Sequence, residues 1–146
     1  MTVTTPLRVV PSPSRLGETF VIVGAGQAGV QAARTLRERG FRGRLVLLGD
    51  EGRLPYMRPP LSKKFLSAEQ SEDRLYFRPA AYFEANDIEV RAGLAVEGID
   101  RKAGRLRLGG GATLEYDRLL LATGSRPREL RVPGASDPPC PLSPDT

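Results

Sequence analysis

Three glycines, Gly24, Gly26 and Gly29, stand in G-x-G-x-x-G spacing between an apolar run, Phe20 to Val23, and a helical pattern. That spacing suits the holding of a dinucleotide pyrophosphate. The first glycine permits a sharp turn, the second lets the backbone approach phosphates without a Cβ, and the third lets helix and strand pack closely. The phosphates would meet the helix N-terminus, where N–H groups and the dipole favour negative charge. Asp50 follows Gly29 at about the twenty-residue distance from which an acid reaches an adenosine ribose. An acid there favours a free 2′-hydroxyl over a 2′-phosphate. An ordinary βαβ unit with a tight turn and a solvated acid uses the same residue types. The nucleotide is favoured because strand, turn, helix, strand and acid occur in the required order.

Other residues could act on a ligand held there. Leu54 to Leu66 carries Pro55, Pro59 and Pro60, and this rigid loop fixes the places of Arg58 and Lys63. Rigid cations beside such a site suit phosphate or flavin contacts; a surface loop with solvated cations fits the composition equally well. Thr123 and Gly124 end a leucine run, where the carboxyl ends of parallel strands line a ligand crevice. A plain strand-end turn is the alternative. The chain has no histidine and a single cysteine, Cys140. Those absences exclude a disulfide scaffold, a Cys/His zinc site, a Cys–His pair and a Ser-His-Asp triad. No metal site is expected, and the chemistry is left to a bound cofactor.

The elements that must position these residues follow from hydrophobic periodicity. Phe20 to Val23 and Leu45 to Leu48 suit parallel strands covered on both faces. Between them a helix is predicted over Ala28–Arg39, with Val30, Ala32, Ala33 and Leu36 on its apolar side, Arg34, Arg37 and Glu38 opposite, and Gly40 as the stop. Ser62 is a candidate N-cap for a short helix. A further helix is predicted over Arg78–Asn86, then a strand at Ile88–Val90. From Ala95 the pattern becomes an antiparallel meander: Val96–Ile99, Arg105–Leu108 and Thr113–Tyr116. Leu119 to Ala122 suits another buried core strand. The fold class is α/β: a doubly wound parallel sheet with an antiparallel β-meander insertion.

At 146 residues the chain fills one domain. The +5 charge, from 22 basic and 17 acidic residues, suits a phosphate-rich ligand or an acidic partner, and solubility explains it as well. Basic residues are scattered and aromatics few, so nucleic acid is not expected as a partner. Residues 1–18, rich in Thr, Pro and Ser, are expected to form a flexible leader rather than a signal peptide. No segment suits a membrane span, and a cytoplasmic location is expected. The Pro-rich stretch 135–146 is expected to be disordered or aberrant.

V-I-V-G-A-G-Q-A-G at 21–29, L-G-D-E at 48–51, L-P-Y-M-R-P-P-L-S-K at 54–63 and Y-D-R-L-L-L-A-T-G-S-R-P-R at 116–128 together resemble a known family. It is the FAD-dependent pyridine nucleotide oxidoreductases, in the branch of ferredoxin and rubredoxin reductases and apoptosis-inducing factor. The proline string is the most specific carrier, and the resemblance runs from Thr19 to Gly134. It implies a Rossmann-like FAD-binding domain over 19–134, incomplete at its C-terminus. FAD is the implied cofactor, with NAD(P)H as co-substrate of the longer family members. Gly24, Gly26, Ala28 and Gly29 would lie along the pyrophosphate, and Asp50 would bind the ribose. Arg58 would contact the diphosphate, and Lys63 would approach the reactive nitrogen of the flavin. Val96 would touch adenine through its backbone, while Thr123, Gly124 and Arg128 would close the crevice.

Disulfide-reducing relatives carry a cysteine pair where this chain has its proline loop, so the resemblance implies direct electron transfer to a small iron–sulfur carrier of ferredoxin or rubredoxin type. Family chains are more than twice as long and add a nicotinamide domain. The expectation is therefore a truncated, frameshifted or split product with little turnover alone. The alternative is a non-catalytic nucleotide-binding remnant or subunit that needs a complementary chain. An NAD-binding dehydrogenase domain would share the glycine turn but leaves the proline loop unexplained.

Overall fold

Residues 17–69, 71 and 74–125 are described by the structure, a computed structural model. Arg128, Cys140, the tail expected at 135–146 and all but the last residues of the expected leader lie outside them. Four strands, β1 (Thr19–Val23), β2 (Arg44–Leu48), β3 (Ile88–Arg91) and β7 (Arg118–Leu121), form one parallel sheet in the order β3-β2-β1-β7. Helix α1 (Gln27–Glu38) connects β1 to β2, and α2 (Ala80–Ala85) precedes β3. Strands β4 (Val96–Asp100), β5 (Arg105–Leu108) and β6 (Thr113–Glu115) make a separate antiparallel sheet, and β4 is bulged between Val96 and Gly98.

Side chains of a strand alternate between faces, and here each face meets a different cover. Ile22, Leu45, Leu47 and Ile88 pack with Val30 and Ala33 of α1, Phe41, and Phe83 of α2. Val21, Val46 and Leu48 point the other way, onto Leu106, Leu108 and Leu114 of the meander. Among the described residues, helices therefore cover one face and the antiparallel sheet covers the other. Strict alternation in β5, with Leu106 and Leu108 buried and Arg105 and Arg107 exposed, gives the meander its single apolar side. Full burial of each leucine is worth about 1.5–3 kcal/mol, so β2, buried from Leu45 to Leu48, is the spine of the domain.

Helix α1 ends as its glycine suggests. Gly40 adopts φ +85°, its N–H donates to Arg37 O, and the Phe41 N–H donates to Leu36 O, closing the last turn. The Arg37 side chain is not simply solvated. Its Nε donates to Asn86 O at 2.9 Å, Nη1 to Phe41 O at 2.7 Å and Gly43 O at 2.9 Å, and Nη2 to Asp87 O at 2.6 Å. Partial burial pulls its pKa downward, and the four carbonyls satisfy the charge.

Two expectations are corrected. No helix follows Ser62: bonds from Leu61 N–H to Arg58 O, Lys63 and Phe65 N–H to Pro60 O, and Ser67 N–H to Lys63 O make a chain of turns. Their acceptors lie three, five and four residues back in turn, a mixed spacing that does not propagate as a helix. The leucine run of β7 is not buried either. Leu120 and Leu121 are 43% and 55% exposed, because β7 pairs only with β1 among the described residues.

Candidate functional site

A cavity of about 520 Å³ opens at the carboxyl ends of β1, β2 and β7. Three segments form its walls: the turn from Gly24 to Ala28, the stretch from Gly49 through Asp50 and Glu51 into the proline loop, and Ala122 to Ser125. Its size falls within the usual range of ligand pockets, and its position is the crevice expected of an open parallel sheet.

The three glycines of the turn do different work. Gly24 has φ +111°, its N–H donates to Leu48 O at 2.8 Å, and a Cβ there would collide with the Ala122 carbonyl. Gly24 thus locks the turn between β2 and β7. A Cβ on Gly29 would collide with the Gly24 carbonyl and crowd Leu47, so Gly29 is buried packing rather than cavity wall. Gly26 is the open one. Its backbone is extended (φ −82°, ψ −168°), a Cβ would meet nothing within 4 Å, and it lines the cavity. As the N-cap of α1 it offers no side-chain cap, and the first turn holds no acid. The first N–H groups of a helix lack intrahelical partners, so this end favours an anion.

Proline loop and sheet are joined by backbone and carboxylate bonds. Met57 N–H donates to Leu75 O and Phe77 N–H to Pro55 O, bracketing an antiparallel bridge between Tyr56 and Tyr76. Glu51 receives the Tyr56 hydroxyl on Oε2 at 2.5 Å and Arg58 Nη2 on Oε1 at 2.5 Å. Burial first, and then the bond to Glu51, raises the Tyr56 phenol above its ordinary pKa, keeping it a proton donor.

Of the residues singled out in the sequence, Gly24, Gly26, Ala28, Asp50, Arg58, Thr123 and Gly124 line this one cavity. Gly29 supports it from beneath. Lys63 is exposed on the turns beyond Pro60 and is not part of the lining, and Val96 packs partly buried against the meander core. Arg128 lies outside the described residues. Glu51, Tyr56, Arg53 and Phe77 also line the cavity. Glu51 and Tyr56 stand inside the L-G-D-E and proline-loop strings that carry the resemblance but were given no role there, and Arg53 and Phe77 were not singled out. Among the described residues no cluster of His, Cys, Asp and Glu could hold a metal, and no helix is long and apolar enough to cross a membrane.

The groups present fit a phosphate-bearing dinucleotide such as FAD. The cradle at Gly26 is open, the helix end above it is uncapped, an acid stands at the end of β2, and an arginine stands across the crevice.

Comparison with known proteins agrees. A family model described as pyridine nucleotide-disulphide oxidoreductase matches residues 18–143. Rhodocoxin reductase of Rhodococcus erythropolis is 48% identical over 120 residues, 82% of this chain and 28% of that protein. Rubredoxin-NAD(+) reductase of Pseudomonas putida is 39% identical over 116 residues, 80% of this chain and 30% of that one. The crystal structure of the covalent putidaredoxin reductase–putidaredoxin complex superposes with a TM-score of 0.77 at 41% identity, over 81% of this chain and 28% of that one. The chain therefore spans under a third of the length of these relatives.

Proposed function

The chain belongs to the pyridine nucleotide-disulphide oxidoreductase family, and from that premise we propose that it is the FAD-binding portion of an NAD(P)H-dependent reductase that serves a small iron–sulfur carrier of ferredoxin or rubredoxin type. The observation that carries this reading is the single crevice in which the glycine turn, Asp50 and Arg58 meet. Bound FAD would supply the chemistry of accepting hydride from a reduced nicotinamide and releasing electrons singly.

The chain's own residues bind and orient. Gly26 and Ala28 bring backbone N–H groups to the pyrophosphate, and Asp50 accepts from the ribose hydroxyls. Arg58 pairs with the phosphates and Thr123 and Gly124 border the crevice; the resemblance would further bring Lys63 toward the flavin ring and Val96 toward adenine, both from outside the cavity lining. The resemblance adds Arg128, which lies outside the described residues, as a further group that would close the crevice. With no cysteine in the loop from Leu54 to Leu66, electrons pass directly to the carrier rather than through a dithiol. NAD(P)H oxidation and carrier docking would belong to an intact enzyme of the relatives' length, and a cytoplasmic location accompanies this reading.

Titration of the purified chain with FAD, followed by flavin fluorescence, tests the reading. Submicromolar binding is expected, and Gly26→Val should weaken it at least about a hundredfold, about 2.8 kcal/mol, while the melting curve stays put. That separation is expected because a Cβ built at Gly26 has no heavy atom within 4 Å beyond its chain neighbours. A folded wild-type chain that retains no FAD would overturn the assignment.

The exposed Leu120 and Leu121 favour a second reading, a nucleotide-binding subunit that works only with a complementary polypeptide. Co-expression with the missing portion of a relative separates the two: restored NADH oxidation supports the reductase, and flavin binding without turnover supports the subunit.

A further inference from the structure

Glu51 occupies a junction that the binding reading does not use. Its carbonyl accepts the Gly93 N–H at 2.8 Å, and two residues earlier Gly49 O accepts the Leu94 N–H at 2.9 Å, so its main chain is fixed to the turn between β3 and β4. Its side chain reaches across to the proline loop and holds Tyr56 and Arg58 on separate oxygens. Arg58 is engaged by Glu51 through Nη2. Among the described residues its Nε and Nη1 donors have no hydrogen-bond partner, and the residue lines the cavity.

An arginine whose side chain is 67% exposed would otherwise spread over many rotamers, and each phosphate contact would have to gather it from that spread. A carboxylate that grips one nitrogen and leaves the rest of the fork available does this gathering in advance. Tyr56 makes the grip directional. Its backbone is bracketed by the two bonds to the 75–77 segment, so its hydroxyl fixes one oxygen of Glu51 and thereby turns the other toward Arg58.

We propose that Glu51 is a positioning residue of this crevice: it ties the end of the sheet to the proline loop and presents the unpaired donors of Arg58 to a diphosphate. The proposal rests on the dinucleotide reading given above and names the device that organises it.

The test is FAD affinity of the full chain, by fluorescence quenching, for wild type, Glu51→Gln, Arg58→Gln and the double variant. If Glu51 acts through Arg58, Glu51→Gln weakens binding about tenfold, and the double variant binds no more weakly than Arg58→Gln alone. A merely structural Glu51 would instead lower the melting temperature and add its loss to that of Arg58→Gln. Tyr56→Phe gives a second route: about a threefold loss that vanishes in the Arg58→Gln background. Ultraviolet titration of the phenols provides a readout without ligand, in which Glu51→Gln lowers the pH at which Tyr56 ionises. Wild-type affinity in Glu51→Gln, additive losses or an unmoved phenol titration overturn the positioning role alone. Absence of FAD binding by wild type overturns the dinucleotide reading, and this role with it.

Discussion

Strands β2 and β7 are built from nearly the same material, Leu45-Val46-Leu47-Leu48 in one and Leu119-Leu120-Leu121 in the other, yet they live in opposite surroundings. Every one of the β2 residues just named is buried, with strands on both sides, helices on one face and the meander on the other. In β7, Leu119 leans on the meander core while Leu120 and Leu121 face solvent. An apolar run therefore marks a strand and its need for cover. The number of neighbours it receives is a property of the sheet, not of the run.

The sharpest way to break this contrast is to shave the same side chain in both places. Leu47→Ala should cost about 2–5 kcal/mol in urea unfolding, through lost burial and the cavity left between α1 and the sheet. Leu121→Ala should stay within about 0.5 kcal/mol. Equal costs would show that β7 is covered in solution.

The other edge of the sheet supplies an intermediate case, because β3 is finished with charge rather than leucine. Glu89 lies between Arg44 (2.9 Å) and Arg91 (2.5 Å). Burial pushes its carboxyl upward, and the bonds from Arg91 and Arg44 more than reverse this, leaving the pKa below its ordinary value. A carboxyl depressed in the folded state stabilises above its unfolded pKa, about 4.3, and that contribution is lost as the pH falls through the lower folded value. Acid unfolding curves should therefore show a loss below about pH 4 that is smaller in Glu89→Gln, with the two proteins titrating alike near neutrality. The smallest effect is expected at Leu120→Thr, which should leave the unfolding midpoint within about 0.5 kcal/mol of wild type while reducing concentration-dependent association through the apolar edge.

Sequence patterns carried the βαβ unit well, since β-branched strands, a glycine turn and an amphipathic helix are local properties of contiguous residues. The meander was legible for the same reason, in the alternation of Arg105 to Leu108 and the glycines at 109–111 that turn it. Long-range facts were not. Arg37 looked like one more charge on a solvent face, because its acceptor at Asn86 is 49 residues away. The turns after Pro60 were read as a short helix on the strength of a capping serine, whereas the bonds formed there mix acceptors three, four and five residues back. At the crevice, the backbone-built part was readable from Gly24 to Gly29, whereas the clamp of Glu51 on Tyr56 and Arg58 depends on how an irregular loop folds back.

Arg37 has one more implication. Its planar fork fastens the start of the β2 approach to the turn before β3, at the foot of the sheet opposite the mouth. A lysine of equal charge cannot address four oxygens arranged around a plane. Damage at this foot would appear as poor yield and early melting in a protein whose surviving molecules still take up ligand normally. If the crevice takes FAD as proposed, damage at the mouth would appear as a sound but colourless protein, so the two ends sort inherited or engineered lesions into separate kinds.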